Sequence, residues 1–94
     1  MGTGADENET DVTHKLESMK NVYVIGVFDL FHFGHVELLR RAKELGDRLI
    51  VAINGDEMVA SYKRRPFLSE RDRLEVVKAC RYVDEAFVIH GYDN

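Results

Sequence analysis

The chain is short, slightly acidic and holds a single cysteine. Its 94 residues carry a formal net charge of −4, and 45% of them are hydrophobic, which is typical of one small soluble domain. No apolar stretch approaches the ~20 residues that cross a bilayer, and no basic excess favours a nucleic-acid surface. The lone Cys80 excludes an internal disulfide and favours a reducing, cytoplasmic location. These features predict a cytoplasmic protein with no transmembrane segment and no nucleic-acid partner.

The N-terminal segment differs in composition from the rest of the chain. Residues 1–20 hold five acidic side chains and two lysines but few large apolar ones. Such a segment cannot bury enough apolar surface to offset the entropy that it would lose on ordering. We therefore predict a disordered acidic tail over residues 1–20 and a folded domain over residues 21–94.

The folded part is predicted to begin with a strand, a turn and a helix. Asn21–Phe28 is β-branched, aromatic and apolar on both faces, which is typical of a central parallel strand covered by helices on both sides. Gly26 within this run indicates that another group approaches its backbone closely. Residues Gly34–Leu45 have the apolar periodicity of an amphipathic helix.

The remaining segments alternate between helix and strand. Ser69, followed by Asp72 three residues later, resembles a capping box. Strand–helix–strand units have right-handed crossovers, so the pattern predicts an α/β fold: a Rossmann-like doubly wound parallel sheet, truncated after the third strand. The predicted elements are a strand at Arg48–Asn54, a short helix at about 56–61, a basic loop at 62–67, a helix at Glu70–Arg81 and a strand at Glu85–Ile89.

Four chemically active residues crowd into the turn between the first strand and its helix. Asp29, His32, Gly34 and His35 lie at the carboxyl end of a predicted parallel strand, where such sheets bind ligands at a topological switch point. Gly34 leaves room for a phosphate beside the backbone, and a helix N-terminus directs free N–H groups toward an anion. Two imidazoles can donate hydrogen bonds to phosphate oxygens as charge builds. We therefore predict a phosphate-handling site in this turn.

The loop after the second strand supplies candidate cations. Lys63 and Arg64 would project from the same edge of the sheet and could neutralise phosphate charge. Other interpretations remain open: the basic run is a solvated face, or the two histidines cap the helix or bind a metal. A histidine pair without a third ligand makes a poor zinc site. Asp29 is interpreted as a hydrogen-bond acceptor that orients the turn rather than as a catalytic base.

The sequence resembles a known family over most of its folded part. It reads Gly-Val-Phe-Asp-Leu-Phe-His-Phe-Gly-His at 26–35, then Leu-Ile-Val-Ala-Ile-Asn-Gly-Asp-Glu at 49–57 and Arg-Tyr-Val-Asp-Glu at 81–85. These segments look like those of the cytidylyltransferase-like nucleotidyltransferases, whose signature is HxGH. Within that superfamily the chain is similar to the glycerol-3-phosphate, phosphocholine and phosphoethanolamine cytidylyltransferases. The match covers about Asn21–Ile89.

The resemblance implies a reaction, a metal ion and partners. A phosphorylated alcohol would attack the α-phosphate of CTP, pyrophosphate would leave, and Mg²⁺ would accompany the triphosphate. The product, a CDP-alcohol, would serve phospholipid or cell-surface polymer synthesis, and the protein would be a homodimer. Related members use ATP in FAD synthesis or in attaching AMP to heptose phosphates, so an adenylyltransferase is one alternative. A non-catalytic nucleotide-binding module is another.

The resemblance also assigns roles to individual residues. His32 and His35 would contact the triphosphate and stabilise the transition state, and Lys63 would neutralise phosphate charge, with Arg64 as its substitute. These three residues, His32, His35 and Lys63, are the implied catalytic groups, and no protein metal ligand is implied. The implied nucleotide-binding residues are Gly26, Val27, Phe28, Asp29, Gly34, Arg64, Arg73, Arg81 and Asp84.

One family signature is missing from the sequence. Family members carry an Arg followed by Ile-Ser-Thr-Thr or Ile-Ser-Ser-Thr well after the Arg-Tyr-Val-Asp-Glu segment, and it binds nucleotide phosphates and ribose. The 94 residues do not contain it. The resemblance therefore predicts a fragment or a shortened homologue that is weak or inactive alone, with an exposed sheet edge that favours dimerisation or aggregation.

Overall fold

The computed structural model describes residues 19–91, which form an open sheet with helices between its strands. The predicted tail falls almost wholly on residues 1–18, outside the described part. Lys20 already contacts the fold, because its carbonyl accepts a hydrogen bond from the Asp47 N–H at 2.8 Å. In chain order the elements are β1 (Asn21–Gly26), α1 (Phe33–Lys43), β2 (Arg48–Asn54), α2 (Asp56–Ala60), α3 (Glu70–Lys78) and β3 (Glu85–Ile89).

The three strands form a parallel sheet in the order β1-β2-β3. Val24 of β1 aligns with Val51 of β2, which aligns with Ala86 of β3. The middle strand is buried over Leu49–Ile53, as expected of a continuous apolar run in a parallel sheet. The predicted α/β fold with a Rossmann-like parallel sheet is confirmed.

The hydrophobic core lies between the sheet and helices α1 and α3, on one face. Both helices and the central strand contribute side chains to a single buried cluster, so α1 and α3 cover the same face of the sheet. The fully buried members of that cluster are Leu39 of α1, Leu49, Val51 and Ile53 of β2, and Val77 of α3.

The opposite face of the sheet is apolar and open in the described part of the chain. Tyr23 and Ile25 of β1 are each 65% exposed and Phe87 of β3 is 45% exposed. Ile25 and Phe87 flank Ala52 across the sheet. The prediction that β1 is a central strand covered on both sides is therefore wrong for residues 19–91: β1 is an edge strand with one covered face. The strand order β1-β2-β3 contains no reversal within residues 19–91, so these residues do not form the predicted topological switch point. The predicted site lies instead at the carboxyl end of an edge strand.

Strand β1 ends two residues earlier than its apolar run. Phe28 and Leu30 adopt left-handed backbone conformations, with φ of 55° and 51°, which cannot continue a strand. A left-handed conformation costs a residue with a Cβ about 1–2 kcal/mol. The chain therefore leaves the sheet at Gly26 and makes a sharp, strained turn around Asp29.

The helices begin where their capping residues predict and end slightly earlier than expected. The Ser69 hydroxyl oxygen accepts a hydrogen bond from the Asp72 N–H at 3.1 Å, so this N-cap is confirmed. Helix α3 ends at Lys78 rather than Arg81, because the Cys80 N–H bonds the Val77 carbonyl in a tighter turn. Across residues 19–91 there is no helix with the length and hydropathy needed to cross a membrane.

Candidate active site

A cleft of about 590 Å³ opens at the carboxyl end of β1. One wall is the strained turn and the start of α1, and the other is the segment that follows α2. Most of the predicted site residues meet there. Those that line the cleft are Gly26, Val27, Phe28, Asp29, His35, Lys63 and Arg64.

His32 and His35 cap helix α1, because each ring accepts a hydrogen bond from a backbone N–H of the first turn. His32 is the N-cap residue, and its Nδ1 accepts a hydrogen bond from the Gly34 N–H at 2.9 Å. His35 reaches back, and its Nδ1 accepts from the His32 N–H at 3.0 Å. This is the geometry of a capping box in which imidazoles take the place of Ser and Glu. Helix capping, one of the interpretations left open above, is thus one function of these histidines, and it leaves a second ring nitrogen on each.

The double cap determines the protonation pattern of both rings. Because each Nδ1 accepts a backbone N–H, the proton of the neutral ring resides on Nε2. Partial burial, followed by the neighbouring His32, lowers the pKa of His35 below its usual value. His35 is therefore neutral at physiological pH, and its Nε2–H is a hydrogen-bond donor at a helix N-terminus.

Aromatic side chains hold the His35 ring in place. Phe31 stacks on it with ring centroids 5.2 Å apart and an interplanar angle of 16°. Phe28, which is buried, packs against it at 5.6 Å. The motif does not identify Phe31 as a site residue, because it is one of three phenylalanines in an apolar stretch. The sequence offers one indication of its role: Phe31 lies four residues before His35, a spacing at which two side chains can come into contact.

Gly34 is required because the His32 ring lies directly over it. A Cβ at position 34 would approach the His32 Cε1 to 2.8 Å. At Gly26, a Cβ would approach the Phe28 ring to 2.9 Å. The close approach predicted at Gly26 is therefore made by the Phe28 ring, whereas the space that was predicted to admit a phosphate at Gly34 is taken by the His32 ring.

Asp29 connects the turn to the basic loop, which was predicted at 62–67 and in the structure spans residues 61–69 between α2 and α3. Its two carboxylate oxygens accept hydrogen bonds from the N–H groups of Phe67 and Leu68, at 2.7 and 2.9 Å. Partial burial raises the pKa of Asp29, but these N–H groups and the positive charge of Arg73 outweigh it and hold the pKa below its usual value. The geometry is that of an orienting acceptor, with the basic loop as the segment that it orients.

The three cations of the basic loop have different surroundings. Arg65 pairs with Glu57 and lies 3.9 Å from Asp56. In the described part of the chain, Lys63 and Arg64 have no carboxylate partner. They lie over aromatic rings, with Arg64 5.9 Å from the Phe67 ring centroid. Lys63 and Arg64 are therefore the cleft cations whose charge is not neutralised by an ion pair.

Arg73 lies beneath the cleft rather than in it. Its side chain is fully buried and donates to the carbonyls of Val27 and Asn54, both at 2.8 Å. It also donates to the Leu68 carbonyl at 3.0 Å and to the Asp56 carboxylate at 2.7 Å. The structure therefore places this predicted nucleotide-binding residue where it contacts protein on every side.

Arg81 and Asp84 lie outside the cleft, at the amino edge of the sheet. The Asp84 carboxylate accepts from the Leu49 N–H at 2.7 Å and pairs with Lys43, where β2 begins. The guanidinium of Arg81 lies 6.0 Å from the Tyr82 ring centroid. The geometry of residues 19–91 thus gives Asp84 a role in joining strand starts, and brings neither residue to the cleft at the carboxyl edge of the sheet.

The described residues do not form a protein-held metal site. No group of three or more His, Cys, Asp or Glu that could hold a metal ion occurs in residues 19–91. Both oxygens of Asp29 are occupied by backbone N–H groups. The carboxylate of Asp29 is therefore engaged by protein groups within the described residues.

Comparison with known proteins adds a family to this geometry. The model of the cytidylyltransferase-like family matches residues 23–93. The lipopolysaccharide core biosynthesis protein from Thermoplasma volcanium superposes with a TM-score of 0.76 and 34% identity, over 81% of this chain and 62% of that one. Both the sequence pattern and the fold are thus shared.

Several curated relatives are similar over the same region. The ethanolamine-phosphate cytidylyltransferase of Arabidopsis thaliana is 51% identical over 69 residues, which are 71% of this chain and 16% of that protein. The FAD synthase of Thermococcus kodakarensis is 47% identical over 77% of this chain and 50% of its own length. The glycerol-3-phosphate cytidylyltransferase of Bacillus subtilis is 46% identical over 71% of this chain and 52% of its own length. The chain spans about half or less of the length of these relatives. It belongs to the cytidylyltransferase-like family.

Proposed function

We propose that the protein contributes the phosphate-binding half of a nucleotidyltransferase site that transfers CMP from CTP to a phosphorylated alcohol. The observation that carries this proposal is the double histidine cap. It ties both Nδ1 atoms to backbone N–H groups and leaves both Nε2–H groups as donors at a helix N-terminus. Such a site favours a polyanion. The relatives named for ethanolamine phosphate and glycerol 3-phosphate support CTP and a phospho-alcohol as substrates.

The chemistry needs little from a general base. The attacking atom is a phosphate oxygen of the phosphorylated alcohol, which is already ionised. It attacks the α-phosphate, and pyrophosphate leaves on the opposite side. Catalysis is then positioning and charge stabilisation. His32 and His35 donate hydrogen bonds to phosphate oxygens, and Lys63 and Arg64 offset negative charge from the other wall of the cleft. Asp29 keeps the basic loop in place for that contact.

An adenylyltransferase is the second candidate. The FAD synthase of Thermococcus kodakarensis is 47% identical over 77% of this chain, which is similar to the identity with the cytidylyltransferases. The groups of the described cleft that could contact a nucleotide, such as His35, Lys63 and Arg64, suit its phosphates. A preference for CTP over ATP would need donors and acceptors that face the base, so these groups favour neither nucleotide. Competition between CTP and ATP for the same site distinguishes the two functions.

Two further features of the protein are proposed with this function. The homodimer is supported by the open apolar face of the sheet, where Tyr23 and Ile25 are exposed. A role in phospholipid synthesis in the cytoplasm is supported by the named relatives alone. The role in phospholipid synthesis depends on the same site being active, whereas the homodimer does not.

Pyrophosphate release tests the proposal. The chain is incubated with CTP or ATP, Mg²⁺ and either sn-glycerol 3-phosphate, phosphocholine or phosphoethanolamine. Because the chain alone is predicted to be weak, we expect CTP binding with at most slow pyrophosphate release, which is lost in His35→Ala and kept in His90→Ala, a change of an exposed histidine outside the cleft. CTP binding that is saturable but gives no release with any acceptor supports the non-catalytic binding module instead. A chain that binds neither nucleotide would exclude both functions.

A further inference from the structure

Arg73 is a fully buried charged side chain in a small protein. Its relative exposure is 0%, and it is the buried charged residue of the described core. Burying a guanidinium is costly unless its donors are paired. Here four hydrogen bonds, from Nε, Nη1 and Nη2, reach acceptors at 2.7–3.0 Å. A hydrophobic residue of similar volume would fill the same space without that cost, so the charge and the fork geometry call for an explanation.

The acceptors of Arg73 come from three separate segments that surround the cleft. Val27 belongs to the strained turn after β1, Asn54 and Asp56 to the end of β2 and the start of α2, and Leu68 to the basic loop. The strained turn is far in sequence from the other two segments. Arg73 is thus a single buried group that bonds the turn on one side of the cleft, the basic loop on the other and the β2–α2 junction.

The link from Arg73 to the histidines is short. The Val27 carbonyl that it holds immediately precedes Phe28, whose backbone is left-handed and whose ring packs 5.6 Å from the His35 ring. A left-handed phenylalanine persists only when surrounding contacts hold it. On the other wall, Arg73 bonds the Leu68 carbonyl while Asp29 bonds the Leu68 N–H. Both walls therefore depend on the same guanidinium.

We propose that Arg73 is a positioning residue: it sets the orientation of His35 and the place of the basic loop relative to each other, without touching the nucleotide. The proposal rests on the proposed function for its catalytic meaning. Lysine cannot replace arginine here, because one ammonium has three donors around a point and cannot reach acceptors that are spread around a planar fork.

The test compares Arg73→Lys with Val77→Ala. Val77 lies four residues later on α3 and is also fully buried, so its truncation lowers stability without altering the Arg73 hydrogen bonds. Asp56→Asn serves as a milder second variant, since it keeps an acceptor but removes the charge that faces Arg73. All variants are measured at a temperature where circular dichroism shows them folded.

Two readouts separate positioning from stability. Imidazole ¹⁵N chemical shifts in the nucleotide-free protein report the His35 tautomer. We expect the Nε2–H form in the wild type and in Val77→Ala, and a mixture of tautomers in Arg73→Lys. CTP affinity is expected to fall roughly ten- to hundredfold in Arg73→Lys, as for the loss of one or two hydrogen bonds to a charged group. It is expected to fall less in Asp56→Asn and not in Val77→Ala.

Each outcome decides one of the two claims. If Arg73→Lys, or Asp56→Asn should Arg73→Lys not fold, keeps the wild-type His35 shifts, the positioning role is overturned. The same holds if Val77→Ala changes the His35 shifts as much as Arg73→Lys does. If the wild type binds no CTP or ATP, the proposed function fails, yet the imidazole shifts still report whether Arg73 positions His35.

Discussion

At the scale of single residues, the site depends on what each histidine nitrogen contacts. The HxGH spacing places His32 at the N-cap and His35 three residues later, so the His32 ring reaches the Gly34 N–H and the His35 ring reaches the His32 N–H. The glycine between them is needed because the His32 ring occupies the space of its missing Cβ. The HxGH spacing therefore serves helix capping as well as the proposed ligand contact.

Gly34→Ala is predicted to impair ligand binding more than stability. The new Cβ would displace the His32 ring and weaken a cap worth about 1 kcal/mol, while alanine in place of glycine returns about 1 kcal/mol of helix propensity. The midpoint of urea denaturation should therefore shift little, whereas calorimetric CTP affinity should fall. An equal loss of stability and affinity, or an unchanged affinity, would contradict the double-cap account.

His35 is predicted to make stability depend on pH in the mildly acidic range. Burial and the adjacent His32 lower its folded-state pKa, so the unfolded chain takes up a proton near pH 6.5 before the folded one does. The contribution is fully present above that pH and is lost as pH falls below it. Thermal unfolding of the nucleotide-free chain between pH 7.5 and 5.5 measures this, and His35→Gln should flatten the slope. Equal slopes in both proteins would refute the assignment.

At the scale of elements, the strained turn and the basic loop form one unit. Asp29 bonds two successive N–H groups of the loop, and Arg65 holds the loop to α2 through Glu57. Asp29 makes two charge-assisted hydrogen bonds, of which the one from Leu68 is partly buried, whereas Arg65 and Glu57 form one exposed ion pair, so the Asp29 contact should dominate.

Asp29→Asn is predicted to release the basic loop. An amide offers one acceptor oxygen and turns an NH₂ group toward the second N–H, so one charge-assisted hydrogen bond is lost, at a cost of roughly 1–3 kcal/mol. Amide hydrogen exchange at Phe67 and Leu68 should accelerate. Glu57→Gln, which weakens the exposed pair with Arg65, is the matched control and should leave exchange at these two residues almost unchanged. Similar acceleration in both variants would show that Asp29 does not dominate.

Local sequence patterns predict the elements well and the site in part. Apolar runs at 21–28 and 48–54 and the Ser69 cap predict the first two strands and the start of α3, with β1 ending two residues before its run does. The left-handed Phe28 and the full burial of Arg73 are not predictable locally, because both depend on contacts with distant segments. The same holds for Asp84, whose partners Lys43 and Leu49 meet it only through sheet pairing.

At the scale of the whole molecule, the described part is a two-layer structure with an open sheet face. Ile50 and Ala52 are buried there, between the more exposed Tyr23 and Ile25 of β1 and Phe87 of β3. An apolar face of this kind, beside an edge strand, favours association. The sequence motifs predict an exposed sheet edge, but the apolar run of β1 wrongly predicts helices on both of its faces.

The double variant Tyr23→Lys/Phe87→Lys is predicted to reduce self-association of the chain. Sedimentation velocity over a concentration series measures this, because charge on the open face opposes burial against another molecule. Val76→Lys, which replaces a partly exposed apolar residue of α3 in the helix layer, is the control and should leave association unchanged. If the chain is monomeric at all concentrations, or the control acts as strongly, the open face is not the self-association surface.

In the proposed function, the two Nε2–H groups of the double cap bind the phosphates of a nucleoside triphosphate. The most direct test of this contact is a titration of ¹⁵N-histidine-labelled protein with CTP and Mg²⁺, followed through the imidazole nitrogens. We predict saturable shifts of Nε2 of His32 and His35, with Nδ1 of both rings still accepting and with His90 unaffected. Saturable CTP binding that leaves both Nε2 resonances unmoved would contradict the account.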